Sequence, residues 1–247
     1  MLKFISMQEW FESWFDTHYY HILYKNRDHE EAELFIRNLF NYLNLSEDKS
    51  VLDLACGKGR HSILVNSLGF KTTGVDLSEE SILTAKESSN ARLDFFVHDM
   101  RLPMQNRSFD LVLNLFTSFG YFNNDSENLQ VFDSISSYLN ADGLLVIDFF
   151  NAIKVKKDML AVEVKGIEGI KFEIKKSVQN GFIIKDIKFN DKGRDFTFQE
   201  QVQALELEDF ERLLTKANFR IKETFGNYQL DNFDKDAERL IIIAEKL

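Results

Sequence analysis

A single cysteine, Cys56, and a single proline, Pro103, occur in 247 residues. One thiol excludes an intramolecular disulfide framework and fits a reducing compartment, so a cytoplasmic setting is expected. No apolar run approaches the ~18 residues of a membrane span, and the N terminus lacks a signal-peptide pattern. Cations are also scarce, with 30 Lys and Arg against 40 Asp and Glu, a net charge of −10. Nucleic-acid affinity rests largely on cations neutralising phosphates, so this balance argues against a polyanionic partner and toward small molecules. His18, His21, His61 and His98 lack the spacing of a metal site, and no metal is expected. Phenylalanine is plentiful instead, at 24 residues.

The chain is organised around Val51–Gly59, a short β-like run that stops at two glycines one residue apart. Gly57 and Gly59 let the backbone turn sharply and lie against a ligand with no Cβ in the way. The spacing predicts a strand, a tight loop and a helix start. Gly57-x-Gly59 with Ser62 is a near miss to the dinucleotide fingerprint, with Asp76 at about the spacing of a ribose-binding acid. An NAD-linked oxidoreductase is therefore one reading. Against it, Asp53 ends the first strand, where a carboxylate repels pyrophosphate and attracts a cation. Asp76 and Asp99 end two further strands, so three acids are expected on one rim.

Such a rim suits S-adenosylmethionine (SAM), which has a sulfonium, an ammonium and a ribose diol but no phosphate. The stretch from Asp53 through Gly57 and Gly59, with Asp76, Asp99 and Phe109-Asp110-Leu111-Val112, resembles the class I SAM-dependent methyltransferases. Within them it looks most like the small-molecule branch that includes sugar N,N-dimethyltransferases. The resemblance implies SAM as cofactor, with the backbone near Ala55, Gly57 and Gly59 along the methionine moiety and Asp76 on the ribose hydroxyls. It further implies Leu77 on adenine, Asp99 and Met100 at the adenine edge, and an N-terminal lid whose Tyr20 and Arg27 hold the carboxylate. Asn114 and Leu115 fall where the tip of the fourth strand meets cofactor and acceptor. No residue declares itself a catalytic base; Asn114 and Tyr121 are the best polar candidates.

Along the chain, aromatic residues crowd 1–27, where periodicity permits a helix at about 7–16, and Asp28 is placed to cap a helix through Leu43. Strands at 51–55, 71–75, 93–98, 109–115 and 144–149 alternate with helices at 59–68, 78–89 and 126–139. Eight residues, 101–108, are too few for a crossover helix, so a loop is expected where family members often have one. Five strands joined mostly by helices imply a doubly wound parallel sheet with ligands at the carboxyl ends. From Asn151 the pattern changes to three alternating strands, 171–178, 182–189 and 196–204, separated by hairpin signals. The core resumes with a helix at 207–217 and strands at 219–225 and 240–245.

The expected fold is therefore α/β, a Rossmann-like seven-stranded sheet whose last strand is antiparallel, with an inserted antiparallel β-meander. Four segments are expected: an N-terminal helical lid (1–44), the SAM-binding core (45–150), the β insert (151–205) and a C-terminal completion of the sheet (206–247). The expected activity is methyl transfer to a small-molecule acceptor, with nitrogen ahead of oxygen. A SAM- or nucleotide-binding protein without transfer activity is the alternative from another class. In the resembled relatives such inserts help oligomerise, so a homodimer is a further expectation.

Overall fold

The computed structural model describes residues 10–25 and 29–247. Two short helices, α1 (Trp10–Phe15) and α2 (His18–Leu23), precede a longer α3 (His29–Leu43). In α3, Ala32, Phe35, Ile36 and Leu39 recur at helical spacing and are fully buried against the sheet. The Asp28 cap and Arg27 lie outside the described residues.

The central motif folds as read, with strand β1 (Ser50–Leu54), a loop, and helix α4 (Arg60–Ser67). It is followed by β2 (Lys71–Asp76), α5 (Glu79–Lys86), β3 (Leu93–Val97) and β4 (Phe109–Asn114). Among the described residues no helix joins β3 to β4. Helix α6 (Asp125–Tyr138) then leads into β5 (Leu139–Phe150), which begins earlier than the apolar run alone suggests because Leu139 already pairs with Phe109.

Two elements of the insert are not legible in its sequence pattern. Residues Ala152–Asp158 form helix α7, and Val162–Ile167 form an edge strand, β6, ahead of β7 (Ile170–Gln179), β8 (Phe182–Asp191) and β9 (Arg194–Gln203). The meander thus has four antiparallel strands in sequence order, one more than expected. Chain order ends with α8 (Leu207–Lys216), β10 (Phe219–Phe225) and β11 (Arg239–Lys246).

The main sheet runs β10-β11-β5-β4-β1-β2-β3. The final strand is antiparallel to both of its neighbours and sits between them, inside the sheet. This order places the carboxyl ends of β1, β2, β4 and β5 along one edge, beside the switch in strand order. Helices α1 and α2 do not pack on that sheet alone. Trp14, Ile22 and Leu23 form a separate apolar cluster with Ile170, Phe172, Ile174, Ile187 and Phe189 of the insert. Lid and insert are therefore held together by burial, strengthened by a buried Glu200 carboxylate that accepts from Trp14 Nε1 (2.8 Å), Tyr24 Oη (2.6 Å) and Lys185 Nζ (3.0 Å). Among the described residues no helix is long and apolar enough to cross a membrane.

Candidate active site

The loop after β1 is shaped by its backbone. Ala55, Gly57 and Gly59 all have left-handed φ values of 65°, 54° and 81°. A Cβ on Gly59 would stand 2.7 Å from the Phe95 ring, so both the turn and the close packing of α4 on β3 demand glycine there. Beneath the loop, Asp53 is buried and its carboxylate accepts from Ser62 Oγ at 2.6 Å. Burial pushes its pKa up to about 6 against the Ser62 hydrogen bonds that lower it. Asp53 thus braces the first turn of α4 from behind and does not line the cavity above the loop.

Asp76 does line that cavity. Its carboxylate accepts from Gly57 N (2.7 Å) and from Ser78 N (2.9 Å), fastening the glycine loop to the start of α5. Burial raises its pKa, opposed by those amide hydrogen bonds. Ser78 caps α5 through Ser81 N at 3.0 Å and donates its hydroxyl to Asp16, which follows α1 and so ties the N-terminal helices to the start of α5. Asp99, at the tip of β3, is gripped by Arg101, whose Nη2 lies 2.7 Å from one carboxylate oxygen. Burial raises the Asp99 pKa, but hydrogen bonds from Arg101 outweigh it and leave the acid lowered. Arg101 thus reaches both Asp99 oxygens.

The resulting cavity has a volume of about 520 Å³. Of the residues expected at the site, Tyr20, Ala55, Gly57, Asp76, Leu77, Asp99, Met100, Leu115 and Tyr121 line it. Gly59 and Asn114 do not. Asn114 is buried and donates to Leu54 O (3.1 Å) and Ser118 O (3.2 Å), a strut between β1 and the β4 tip. Sequence reasoning missed Lys58, between the two glycines, and Arg60 and Ile63 in the first turn of α4, all of which line the cavity. It also missed Phe11, Phe15 and His21, lid residues whose approach depends on a fold-back that no local pattern encodes.

A second cavity, about 720 Å³, lies between the insert and the core. Phe15, Tyr20, Phe116 and Tyr121 line both spaces, so an aromatic wall is their common boundary. The acids of the second cavity are paired: Asp158 and Glu238 with Lys154 (2.9 Å and 3.4 Å), Glu163 with Lys176 (2.7 Å) and Glu200 with Lys185 (3.0 Å). Its wall also holds Trp10, whose indole N–H is buried without a hydrogen-bond partner among the described residues.

The first cavity fits SAM on these grounds. Loop backbone with φ near +60° leaves room for close approach, and Asp76 presents acceptor oxygens held by two amides. No phosphate-sized anion is invited by Asp76 and Asp99 together.

Comparison with known proteins agrees. Residues 51–143 match the methyltransferase-domain family. A Geobacillus sp. (strain WCH70) protein with a methyltransferase name is 24% identical over 96% of this chain and 99% of its own length. The dTDP-3-amino-3,4,6-trideoxy-alpha-D-glucopyranose N,N-dimethyltransferase of Streptomyces venezuelae is 32% identical over 41% of this chain and 43% of its own. Among solved structures, a SAM-dependent methyltransferase from Clostridium acetobutylicum superposes with a TM-score of 0.78 at 20% identity, covering 92% of this chain and 96% of that one. Residues 51–143 thus match a methyltransferase domain, and the chain as a whole has the fold of SAM-dependent methyltransferases, with a left-handed glycine loop after β1.

Proposed function

We propose that the protein methylates an amine nitrogen of a small polar molecule, with SAM in the 520 Å³ cavity and the acceptor in the 720 Å³ one. The observation that carries this reading is the shared aromatic boundary of Phe15, Tyr20, Phe116 and Tyr121. When bound, SAM supplies an electrophilic methyl on a sulfonium. What the chain must do is hold Asp76 and the loop amides on one side, keep the acceptor on the other, and exclude water between them.

Nitrogen is favoured over oxygen by what the second cavity contains. A hydroxyl acceptor needs a base, whereas a neutral amine attacks with its own lone pair. Among the described residues that line this cavity there is no histidine, and its four acids, Asp158, Glu163, Glu200 and Glu238, are each paired with a lysine, Asp158 and Glu238 sharing Lys154. The aromatic boundary also suits a methylated ammonium, which the ring faces attract. The amino-sugar N,N-dimethyltransferase similarity supports the same class.

A panel of amines, sugars and phenols, scored by S-adenosylhomocysteine release, tests this. Turnover confined to amine-bearing compounds is the expected result; turnover of hydroxyl acceptors alone would refute it. Pairing of two copies through the insert is part of the same proposal, and sedimentation as a monomer would remove it.

A further inference from the structure

Cofactor and acceptor spaces meet at a segment of backbone in an unfavourable conformation. Phe116 and Thr117 follow β4 with φ values of 58° and 63°, two consecutive left-handed residues of which neither is glycine and one is β-branched. Such residues seldom adopt this conformation unless the surroundings impose it. The imposing group is Asp148, which is fully buried on β5. Its Oδ2 accepts from Phe116 N at 2.9 Å and its backbone carbonyl accepts from Thr117 N at 2.8 Å.

Two further residues fix that carboxylate. Arg239, on the interior strand β11, donates from Nε to Oδ1 at 2.7 Å and reaches Thr117 Oγ1 from Nη2 at 3.2 Å. Tyr228 donates its hydroxyl to Oδ2 at 3.0 Å and stacks on the Phe116 ring at 5.7 Å. Tyr121, on the aromatic boundary, is tied to the same turn by donating to Thr117 O at 2.5 Å.

Resting on the assignment of the two cavities above, we infer that Asp148, Arg239 and Tyr228 are positioning residues for methyl transfer: they hold Phe116 and Thr117 left-handed and so set the wall between cofactor and acceptor. None of the three is placed to bind SAM itself. Asp148 and Tyr228 lie outside both cavities, and Arg239 lines only the second. Their effect on the cofactor runs through the turn, because Leu115, Phe116 and Ser118 line the first cavity.

Glycine at 117 provides the test, since it adopts positive φ without the Cβ penalty and needs less holding. Wild type, Asp148→Asn, Tyr228→Phe, and each variant combined with Thr117→Gly are compared by SAM titration calorimetry, thermal melting and hydrogen exchange at the amides of 116 and 117. Asp148→Asn is expected to speed exchange at both amides at least tenfold and to weaken SAM binding about three- to tenfold. Tyr228→Phe, which keeps the ring stack, is expected to give a smaller change of the same kind and serves if Asp148→Asn does not fold. Adding Thr117→Gly is expected to restore SAM affinity to within about twofold while the melting temperature stays low. A lowered melting temperature with unchanged exchange and SAM affinity would overturn the inference, as would failure of glycine to restore binding. If wild type itself binds no SAM, the cofactor assignment fails, whereas exchange at 116 and 117 still reports whether Asp148 holds the turn.

Discussion

Replacing Asp76 by alanine isolates the cofactor assignment. In the folded protein its two oxygens satisfy Gly57 N at 2.7 Å and Ser78 N at 2.9 Å, and the residue lines the first cavity. Truncation removes the partner proposed for the ribose diol and frees two amides. Hydrogen bonds to a charged group contribute about 1.5–3 kcal/mol each, and leaving a buried group unpaired costs about 1–3 kcal/mol. Without its ribose hydrogen bond, SAM should bind more weakly by ~1–3 kcal/mol, roughly a 5- to 150-fold rise in Kd by titration calorimetry. Loosening of the glycine loop would weaken binding too, so a second ligand separates the causes. A 2′-deoxyribose form of S-adenosylhomocysteine should bind wild type less well than the parent compound, and the Asp76→Ala protein should no longer distinguish the two. A folded Asp76→Ala protein that binds SAM within twofold of wild type, or that still discriminates against the deoxy ligand, would refute the ribose assignment.

Other perturbations follow from the same packing. Gly59→Ala introduces a Cβ 2.7 Å from Phe95 at a φ of 81° and should destabilise by about 1–3 kcal/mol in denaturant melts. Asp53 has a folded pKa raised to about 6, so its contribution is full at low pH and lost as pH rises through that value. Asp53→Asn, which still accepts from Ser62, should therefore gain stability relative to wild type between about pH 4 and 6, by up to roughly 3 kcal/mol; a pH-independent difference would count against burial as the cause. Glu200 is the opposite case. Burial raises its pKa, but Lys185 and the tyrosine and tryptophan hydrogen bonds bring it below the usual value, so its stabilisation is present at neutral pH and fades on acidification. Glu200→Gln should loosen the lid by about 1–3 kcal/mol, seen as faster quenching of tryptophan fluorescence by iodide.

Much of the architecture is legible because it is local. Short β-type runs that end at or just before Asp76 and Asp99, and glycines closing β1, mark strand tips without tertiary knowledge, and the tips share an edge by topology alone. Helix α7 and strand β6 are not legible. Ile-Lys-Val-Lys-Lys has no clear helical stripe, and β6 is an exposed edge whose Val162 and Val164 face outward. Side-chain direction is the other limit. Asp53 and Asp76 both lie at strand ends, yet one points beneath the loop to Ser62 and the other above it to Gly57. Strand parity fixes a face, but here each acid's role turns on a serine or an amide contributed by a neighbouring turn. The Asp148 network lies further still from sequence view, since it joins residues about 30 to 120 positions apart.

The attachment of the lid to the insert bears on how the chain matures during synthesis. Trp14, Ile22 and Leu23 leave the ribosome early, but the strands that bury them, Ile170–Gln179 and Phe182–Asp191, arrive about 150 residues later. Until then these apolar side chains have no final partner, and the nascent chain must carry them uncovered while the nucleotide-binding half assembles. Ribosome-bound chains stalled near residue 150 should accordingly bind a hydrophobic dye through this segment, and release of the dye should coincide with completion of the meander.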